Sequence, residues 1–117
     1  DLRTRLASSP FHHRLGVRVE AAVPGEVRLS LEAGQEHLNL QGLVHGGLLT
    51  TLAHTAMGLA VRTAVDPGRR HVTIDLSIRF MRPAGPGRPG LPLMERRSVW
   101  QPYEELRTIG RPSRTRT

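Results

Sequence analysis

Apolar and polar residues alternate along three stretches of the chain, which is the pattern of half-buried β-strands. The first two stretches, residues 17–21 and 27–31, flank the turn signal Pro24-Gly25 and predict an antiparallel hairpin. The third stretch, from Val72 to Phe80, alternates most strictly and predicts the longest strand. Residues 1–15 contain the breaker Pro10 and predict a short helix or a loose arm.

One long apolar segment predicts a helix from Gly46 to about Val65. Its apolar residues cover most of the helix circumference, so we expect the helix to be buried on most sides. A helix wrapped in this way needs a curved sheet around it. The sequence Asp66-Pro67-Gly68 then ends the helix.

The pattern changes after Pro83. Prolines recur at every third residue from there to Pro92, with glycines between them, and proline is poorly tolerated inside a sheet. Residues 110–117 have the composition of a disordered end. We therefore expect one domain over residues 1–117, in which residues 84–117 are atypical and partly disordered.

The positive charge of the chain is concentrated near its end. The net charge is +7, and residues 79–117 hold nine arginines against three acidic residues. A basic end can bind nucleic acid, and the alternative is an arginine-rich, poorly folded end. The chain contains no lysine, which indicates a coding bias toward arginine and weakens the charge as a functional signal.

Composition excludes several kinds of site. The absence of cysteine excludes disulfides and thiolate chemistry. The six histidines show no metal-ligand spacing with acidic residues, so no metal site is expected. No apolar run approaches the roughly 20 residues that span a bilayer. No secretory signal is visible, and the cytoplasm is the expected location.

The most informative motif precedes the predicted helix and reads Asn39-x-x-Gly42-x-x-His45-Gly46-Gly47. The first N–H groups of a helix have no partner inside it, and the helix dipole adds partial positive charge there. Such an end can hold a carbonyl oxygen as it becomes an oxyanion. Glycine lets a substrate approach the backbone closely.

The chain resembles the hotdog-fold acyl-CoA thioesterases of the phenylacetate-degradation type over about residues 11–83. The resemblance implies an α+β hotdog fold, in which a five- or six-stranded antiparallel sheet wraps around one long central helix. It also implies a homodimer whose sheets join edge to edge, often paired into a homotetramer. The matching residues are Phe11 to Val19, His37-Leu38-Asn39, Gly42, His45-Gly46-Gly47, Leu52-Ala53, Ala56-x-Gly58-x-Ala60 and Val72 to Pro83.

The resemblance also implies a substrate and the residues that act on it. The substrate would be an acyl-CoA thioester, for example of an aryl or arylacetyl group, and the coenzyme A moiety would belong to the substrate, so no cofactor is expected. Asn39 would place the thioester or the water, and the Gly46 N–H would polarise the carbonyl. His45 would support the loop, and Thr73 would lie beside the attacking water.

Each of these residues also has a purely structural interpretation. Asn39 could cap a turn, and Thr73 could simply favour a strand. Gly47 is expected to offer backbone to the substrate. Arg79 and Arg82 could bind the phosphates of coenzyme A, or they could be solvated charges at the edge of the sheet.

The chain departs from the family at two places. The family has Asp or Glu eight residues after the first motif glycine, and here that residue is His54. A histidine could act as a general base near neutral pH. Alternatively, it could have no catalytic role and simply form a hydrogen bond with a neighbouring hydroxyl, such as that of Thr50 or Thr51. The final strands of the family are replaced by the Pro/Gly/Arg-rich stretch, as a shifted reading frame near residue 88 would produce.

Helix geometry constrains any mechanism that uses both Gly46 and His54. Eight residues along a helix correspond to about 12 Å, so one chain cannot bring both to a single carbonyl carbon. If both act, the site combines Gly46 of one chain with residue 54 of another, as in the dimer of the family.

Three hypotheses therefore follow from the sequence. The first is an acyl-CoA thioesterase whose activity is reduced by histidine at position 54. The second is a non-catalytic acyl-CoA binder or regulator with the same fold. The third, a nucleic-acid-binding protein that uses the basic end, lacks an aromatic stacking platform.

Overall fold

The chain folds into three α-helices and a three-stranded sheet in the part that the structure describes. The structure is a computed structural model that describes residues 2–85 in full and the backbone of residues 93–98. In chain order the elements are α1 (Leu2–Ala7), α2 (Pro10–Leu15), β1 (Arg18–Val23), β2 (Glu26–Leu31), a short 3-10 helix (Gln35–His37), α3 (Gly46–Ala64) and β3 (Leu93–Ser98).

The predicted hairpin is confirmed. Strands β1 and β2 pair antiparallel, with a bulge between Val19 and Ala21. Gly25 turns the chain with a φ of 83°, a left-handed conformation that glycine reaches at little cost. Before the hairpin, the predicted helix or loose arm consists of two short helices. Pro10 begins the second of them, because proline lacks only an N–H that the first helical turn does not use.

Strand β2 is the central strand of the sheet, with β1 on one side and β3 on the other. Strand β3 pairs antiparallel with β2, from Leu31 opposite Leu93 to Glu26 opposite Ser98. Part of the atypical region 84–117 therefore forms a strand. The disordered end predicted for residues 110–117 lies outside the described residues, as does most of the basic end.

The core lies between the sheet and one stripe of α3. On β2, Val27, Leu29 and Leu31 are fully buried. The predicted helix is confirmed over residues 46–64, but its buried residues form a single stripe and not most of its circumference. No helix among the described residues is long and apolar enough to cross a membrane. The buried stripe of α3 consists of Leu48, Leu52, Ala53, Ala56 and Ala60.

The prediction of a long strand over residues 72–80 is wrong for the described molecule. These residues belong to no strand, and no described segment pairs with them. Alternation identifies residues that can share a face, but a strand also needs a neighbour that takes up its backbone hydrogen bonds. Val72 and Ile74, which the alternation assigns to the buried face, are 77% and 58% exposed.

Candidate active site

Asn39 organises the turn that leads into α3. Its side-chain Oδ1 accepts hydrogen bonds from the N–H of Gln41 at 2.9 Å and from the N–H of Leu43 at 3.1 Å. Gly42 completes the turn with a φ of 79°. The oxygen of Asn39 is thus used by the loop itself, as the turn-capping interpretation has it, while the residue also lines the cleft described below.

His45 caps the start of α3. Its backbone is extended, and its Nδ1 accepts a hydrogen bond from the N–H of Gly47 at 2.8 Å. The carbonyl of His45 accepts from the N–H of Leu48 at 2.9 Å. This capping supports the loop, and it also occupies the Gly47 N–H that the sequence analysis assigned to the substrate.

Gly46 keeps an open N–H beside a cleft. No group in the described part of the chain forms a hydrogen bond with this N–H, since it is the first of the helix. The cleft has a volume of about 270 Å³, and Asn39, Phe80 and Arg82 contribute to its walls. The Phe80 ring is close, because a Cβ built on Gly46 would lie 3.2 Å from its Cζ. Any larger residue at position 46 would place a Cβ between the backbone and the Phe80 ring.

His54 forms a hydrogen bond with Thr73. Its Nε2 lies 2.9 Å from the Thr73 Oγ1, on an exposed face of α3. The expectation that Thr50 or Thr51 would satisfy His54 is wrong, because each of these hydroxyls donates to the carbonyl four residues earlier, at 2.9 Å. Threonine inside a helix commonly forms this local bond in preference to a contact with a neighbouring side chain.

His54 and Thr73 open into a second cavity, of about 470 Å³. We call it the basic cavity, because two arginines and three histidines contribute to its lining, and none of its described lining residues is acidic. Apolar groups, including Leu59 and Val72, complete the walls. The five basic residues of the lining are Arg5, His12, His54, Arg62 and His71.

His12 also lines this cavity, although the sequence did not indicate it as a site residue. Its Nε2 lies 3.1 Å from the Oγ1 of Thr55, and its Nδ1 lies 2.8 Å from the Oγ of Ser9. Burial lowers the pKa of His12 and so favours its neutral form. The sequence holds no signal for this contact, because 43 residues separate His12 from Thr55.

Burial also lowers the pKa of His71, and the neighbouring Arg62 and then His54 lower it further, against a hydrogen bond with the Gly58 backbone that raises it. Arg5 and Arg62 give the cavity its positive charge. The histidines do not converge as metal ligands, and no group of three or more His, Asp or Glu side chains in residues 2–85 could hold a metal ion.

The segment 71–81 runs antiparallel along α3 and separates the predicted site residues into two sets. His71 lies near Gly58, Thr73 near His54 and Phe80 near Gly46. Asn39, Gly46 and Arg82 border the first cleft, whereas His54 and Thr73 border the basic cavity, and the two sets of lining residues share no member. Arg79 is exposed and borders neither space.

Comparison with known sequences finds a match to a thioesterase family over the central segment. Residues 41–89 match the model of the thioesterase superfamily. The chain is 47% identical over 75 residues to a candidate esterase of Halobacterium salinarum, covering 60% of this chain and 50% of that protein. It is 33% identical over 75 residues to human acyl-coenzyme A thioesterase 13, covering 63% of this chain and 53% of that protein. The chain thus spans about half the length of the curated relatives it matches.

Solved structures extend the similarity to the fold. A thioesterase family protein from Silicibacter pomeroyi superposes with a TM-score of 0.77 at 25% identity, covering 86% of this chain and 71% of that one. A mutant form of the phenylacetic acid degradation protein PaaI from Thermus thermophilus gives a TM-score of 0.56 at 38% identity, covering 68% and 65%. The chain has the α+β hotdog fold, and its resemblance to the hotdog-fold thioesterases of the phenylacetate-degradation type is confirmed.

Proposed function

We propose that the protein hydrolyses acyl-CoA thioesters at a site shared by two copies of the chain. The observation that carries the proposal is the open N–H of Gly46 at the start of a 19-residue helix, beside an accessible cleft. A backbone donor at a helix N-terminus can stabilise the oxyanion that forms when a thioester carbonyl is attacked. The similarity to acyl-coenzyme A thioesterase 13 supports this substrate class.

His54 is the proposed general base, which activates the water that attacks the thioester. A water molecule beside Thr73 attacks the carbonyl carbon, and His54 takes its proton as general base. The oxyanion forms against the Gly46 N–H, and its collapse releases the thiolate of coenzyme A, which takes a proton from the imidazolium. Arg82 also borders the Gly46 cleft, and its binding to a phosphate of coenzyme A stays a prediction.

Two observations support a site between copies. Gly46 and His54 face separate spaces in one protomer and are about 12 Å apart along the helix axis. The segment 72–81 also exposes large apolar side chains, including Val72 at 77% and Met81 at 87%, which a second copy would cover. A homodimer, or a dimer of dimers, is therefore part of the proposal, and each site would pair Gly46 with His54 of the partner subunit.

Substituting Gly46 tests the role of its N–H directly. Proline is favoured at the first helical position, and the extended backbone of His45 (φ −60°, ψ 131°) is compatible with a following proline, so Gly46→Pro removes the donor at little cost to the helix. We expect kcat to fall by about 10²–10³-fold, the effect of deleting one oxyanion donor. Gly46→Ala is the matched control, because it also adds a Cβ near Phe80 but keeps the N–H.

The rates for a panel of acyl-CoA esters decide the outcome. Equal kcat values for Gly46→Pro and Gly46→Ala would refute the donor role. If neither variant is active, mixing Gly46→Pro with His54→Ala should restore activity in heterodimers that contain one intact site. No recovery, with heterodimers shown by mass measurement, would refute the shared site.

A second candidate function is a non-catalytic acyl-CoA binder. The observation that favours it is His54 itself, which occupies the position where the family has an acid. His54→Asp separates the two candidates, because a carboxylate there should strongly raise hydrolysis if the rest of the site is competent. Unchanged turnover with preserved acyl-CoA binding would favour the binder.

A further inference from the structure

The basic cavity holds positive charge that no described residue neutralises. Arg5 and Arg62 border it together with three histidines, and no acidic residue does so. Among the described residues, neither guanidinium is within ion-pair distance of a carboxylate. Arg62 instead donates one hydrogen bond to the carbonyl of Arg69, at 2.7 Å, which leaves most of its N–H groups for a ligand.

The spacing on α3 places the proposed base and this charge on one side of the helix. His54, Gly58 and Arg62 are four residues apart and therefore share one face of the helix. Gly58 has no side chain, and the imidazole of His71 packs over it, since a Cβ on Gly58 would lie 3.6 Å from the His71 Nε2. His54, Arg62 and His71 all border the basic cavity. Leu59 and Val72 supply apolar walls.

We propose that the basic cavity selects acyl groups that end in a carboxylate, which Arg62 binds with support from Arg5. This inference rests on the proposed function, because the carbonyl of the substrate must lie at His54. Arg62 is two turns, about 12 Å, further along α3, and it borders the same cavity as His54. The distance suits a dicarboxylic acyl group of about four to six carbons.

The anion is assigned to the acyl group and not to the phosphates of coenzyme A. Those phosphates are separated from the sulfur by the whole pantetheine arm, whereas Arg62 borders the same cavity as His54. The planar guanidinium of arginine pairs with a carboxylate through two parallel hydrogen bonds. Histidine at position 54 suits this ligand, because an acid there would repel a second carboxylate inside the cavity.

The test compares CoA monothioesters of butanedioic and pentanedioic acid with their neutral terminal methyl esters. We expect KM to be about tenfold lower for the charged substrates, the size of one charge-assisted hydrogen bond. Arg62→Gln should abolish this ratio, and Arg62→Lys should restore part of it. Arg14→Gln is the control, because Arg14 is exposed and does not border the cavity. An unchanged ratio in Arg62→Gln, or no preference in the unsubstituted protein, would overturn the proposal.

A binding measurement separates this inference from the proposed function. Non-hydrolysable thioether analogues of the same two compounds should bind with the same Arg62-dependent preference, and the bound carboxylate should raise the pKa of His71 in an NMR titration. If the protein prefers the charged analogues but hydrolyses no thioester, the carboxylate site in the cavity is supported and the proposed thioesterase activity is refuted. If the protein hydrolyses the thioesters without preferring the charged compounds, the thioesterase activity is supported and the carboxylate site is refuted. If urea unfolding shows that Arg62→Gln is destabilised, Arg5→Gln serves in its place.

Discussion

The imidazole Nε2 of His54 lies 2.9 Å from the hydroxyl Oγ1 of Thr73, although 19 residues separate them in the chain. This bond joins the exposed face of α3 to the segment that runs along it. It also orients the imidazole at the mouth of the basic cavity. The two residues that were predicted from the sequence to act on the attacking water are therefore in direct contact.

Removing the Thr73 hydroxyl should slow hydrolysis without preventing folding. Thr73 is exposed, and Thr73→Val keeps its shape, so the expected loss is the orientation of His54. A neutral hydrogen bond contributes about 0.5–1.5 kcal/mol, which corresponds to a fall in kcat of about tenfold or less. Thr73→Ser keeps the hydroxyl and should retain most of the rate. Steady-state kinetics of the two variants check this, and equal rates would contradict it.

Adding a methyl group at Gly47 should destabilise the start of α3. A Cβ there would lie 2.9 Å from the Nδ1 of His45, so the cap must move. The loss of an N-cap typically costs about 1 kcal/mol. Gly68→Ala is the matched control, because a Cβ on Gly68 meets no atom within 4 Å. Urea unfolding compares the two variants, and equal free energies of unfolding would show that the cap contributes nothing.

The stability of the protein should fall as the pH drops below about 6.5, the ordinary pKa of histidine. Burial, and then the neighbouring guanidinium of Arg62, lower the pKa of His71 in the folded state. The unfolded chain therefore takes up the proton more readily. The stabilising contribution is complete above the unfolded pKa and is lost as the pH falls toward the folded one.

His71→Gln should weaken this dependence on pH. The measurement is the free energy of unfolding in urea at about pH 7.5 and about pH 5.5, for the original protein and the variant. His13→Gln serves as the control, because His13 is exposed and does not border the cavity. If all three proteins lose the same free energy of unfolding between the two pH values, His71 does not cause the pH dependence of stability.

Truncating the central strand should be costly. Leu29 is fully buried between β1, β3 and α3, and a Leu→Ala substitution at such a site costs about 2–5 kcal/mol. Leu40 is fully exposed, so Leu40→Ala should change stability by no more than about 0.5 kcal/mol. Chemical unfolding of both variants checks the position of the core. Similar losses would contradict the packing described above.

A charge on the segment along α3 should separate the proposed dimer. Ile74 is 58% exposed, and burying an added arginine against a second copy is unfavourable. We expect Ile74→Arg to be monomeric in a solution mass measurement and inactive, because each site needs two chains. Val23 is 57% exposed on β1, and Val23→Arg should leave the mass unchanged. An active Ile74→Arg monomer would refute the shared site.

Much of the fold follows from local sequence. The hairpin follows from two alternating stretches and a Pro-Gly turn, and the helix from an apolar run that begins after His45 and ends before Asp66. The part played by His45 was also predictable, because a polar side chain directly before a helix commonly accepts one of its unpaired N–H groups. These features depend on residues within a few positions of one another.

The chemistry of the cavities was predictable only in part. The motif before α3 predicted open N–H groups at its glycine pair, and the structure leaves that of Gly46 open but caps that of Gly47. The partner of His54 was misassigned to its own helix, because a sequence cannot show which distant hydroxyl lies alongside. His12 was missed for the same reason.

The sequence by itself determined where the chain turns and where α3 begins and ends, because these depend on local backbone geometry. Only the tertiary structure decided that residues 72–80 run unpaired along α3 and that His12 reaches Thr55. It also decided that Gly46 and His54 face different spaces. The physical reason is that strand pairing and cavity formation require partners from distant parts of the chain, and alternation of residue types does not specify which partners are present.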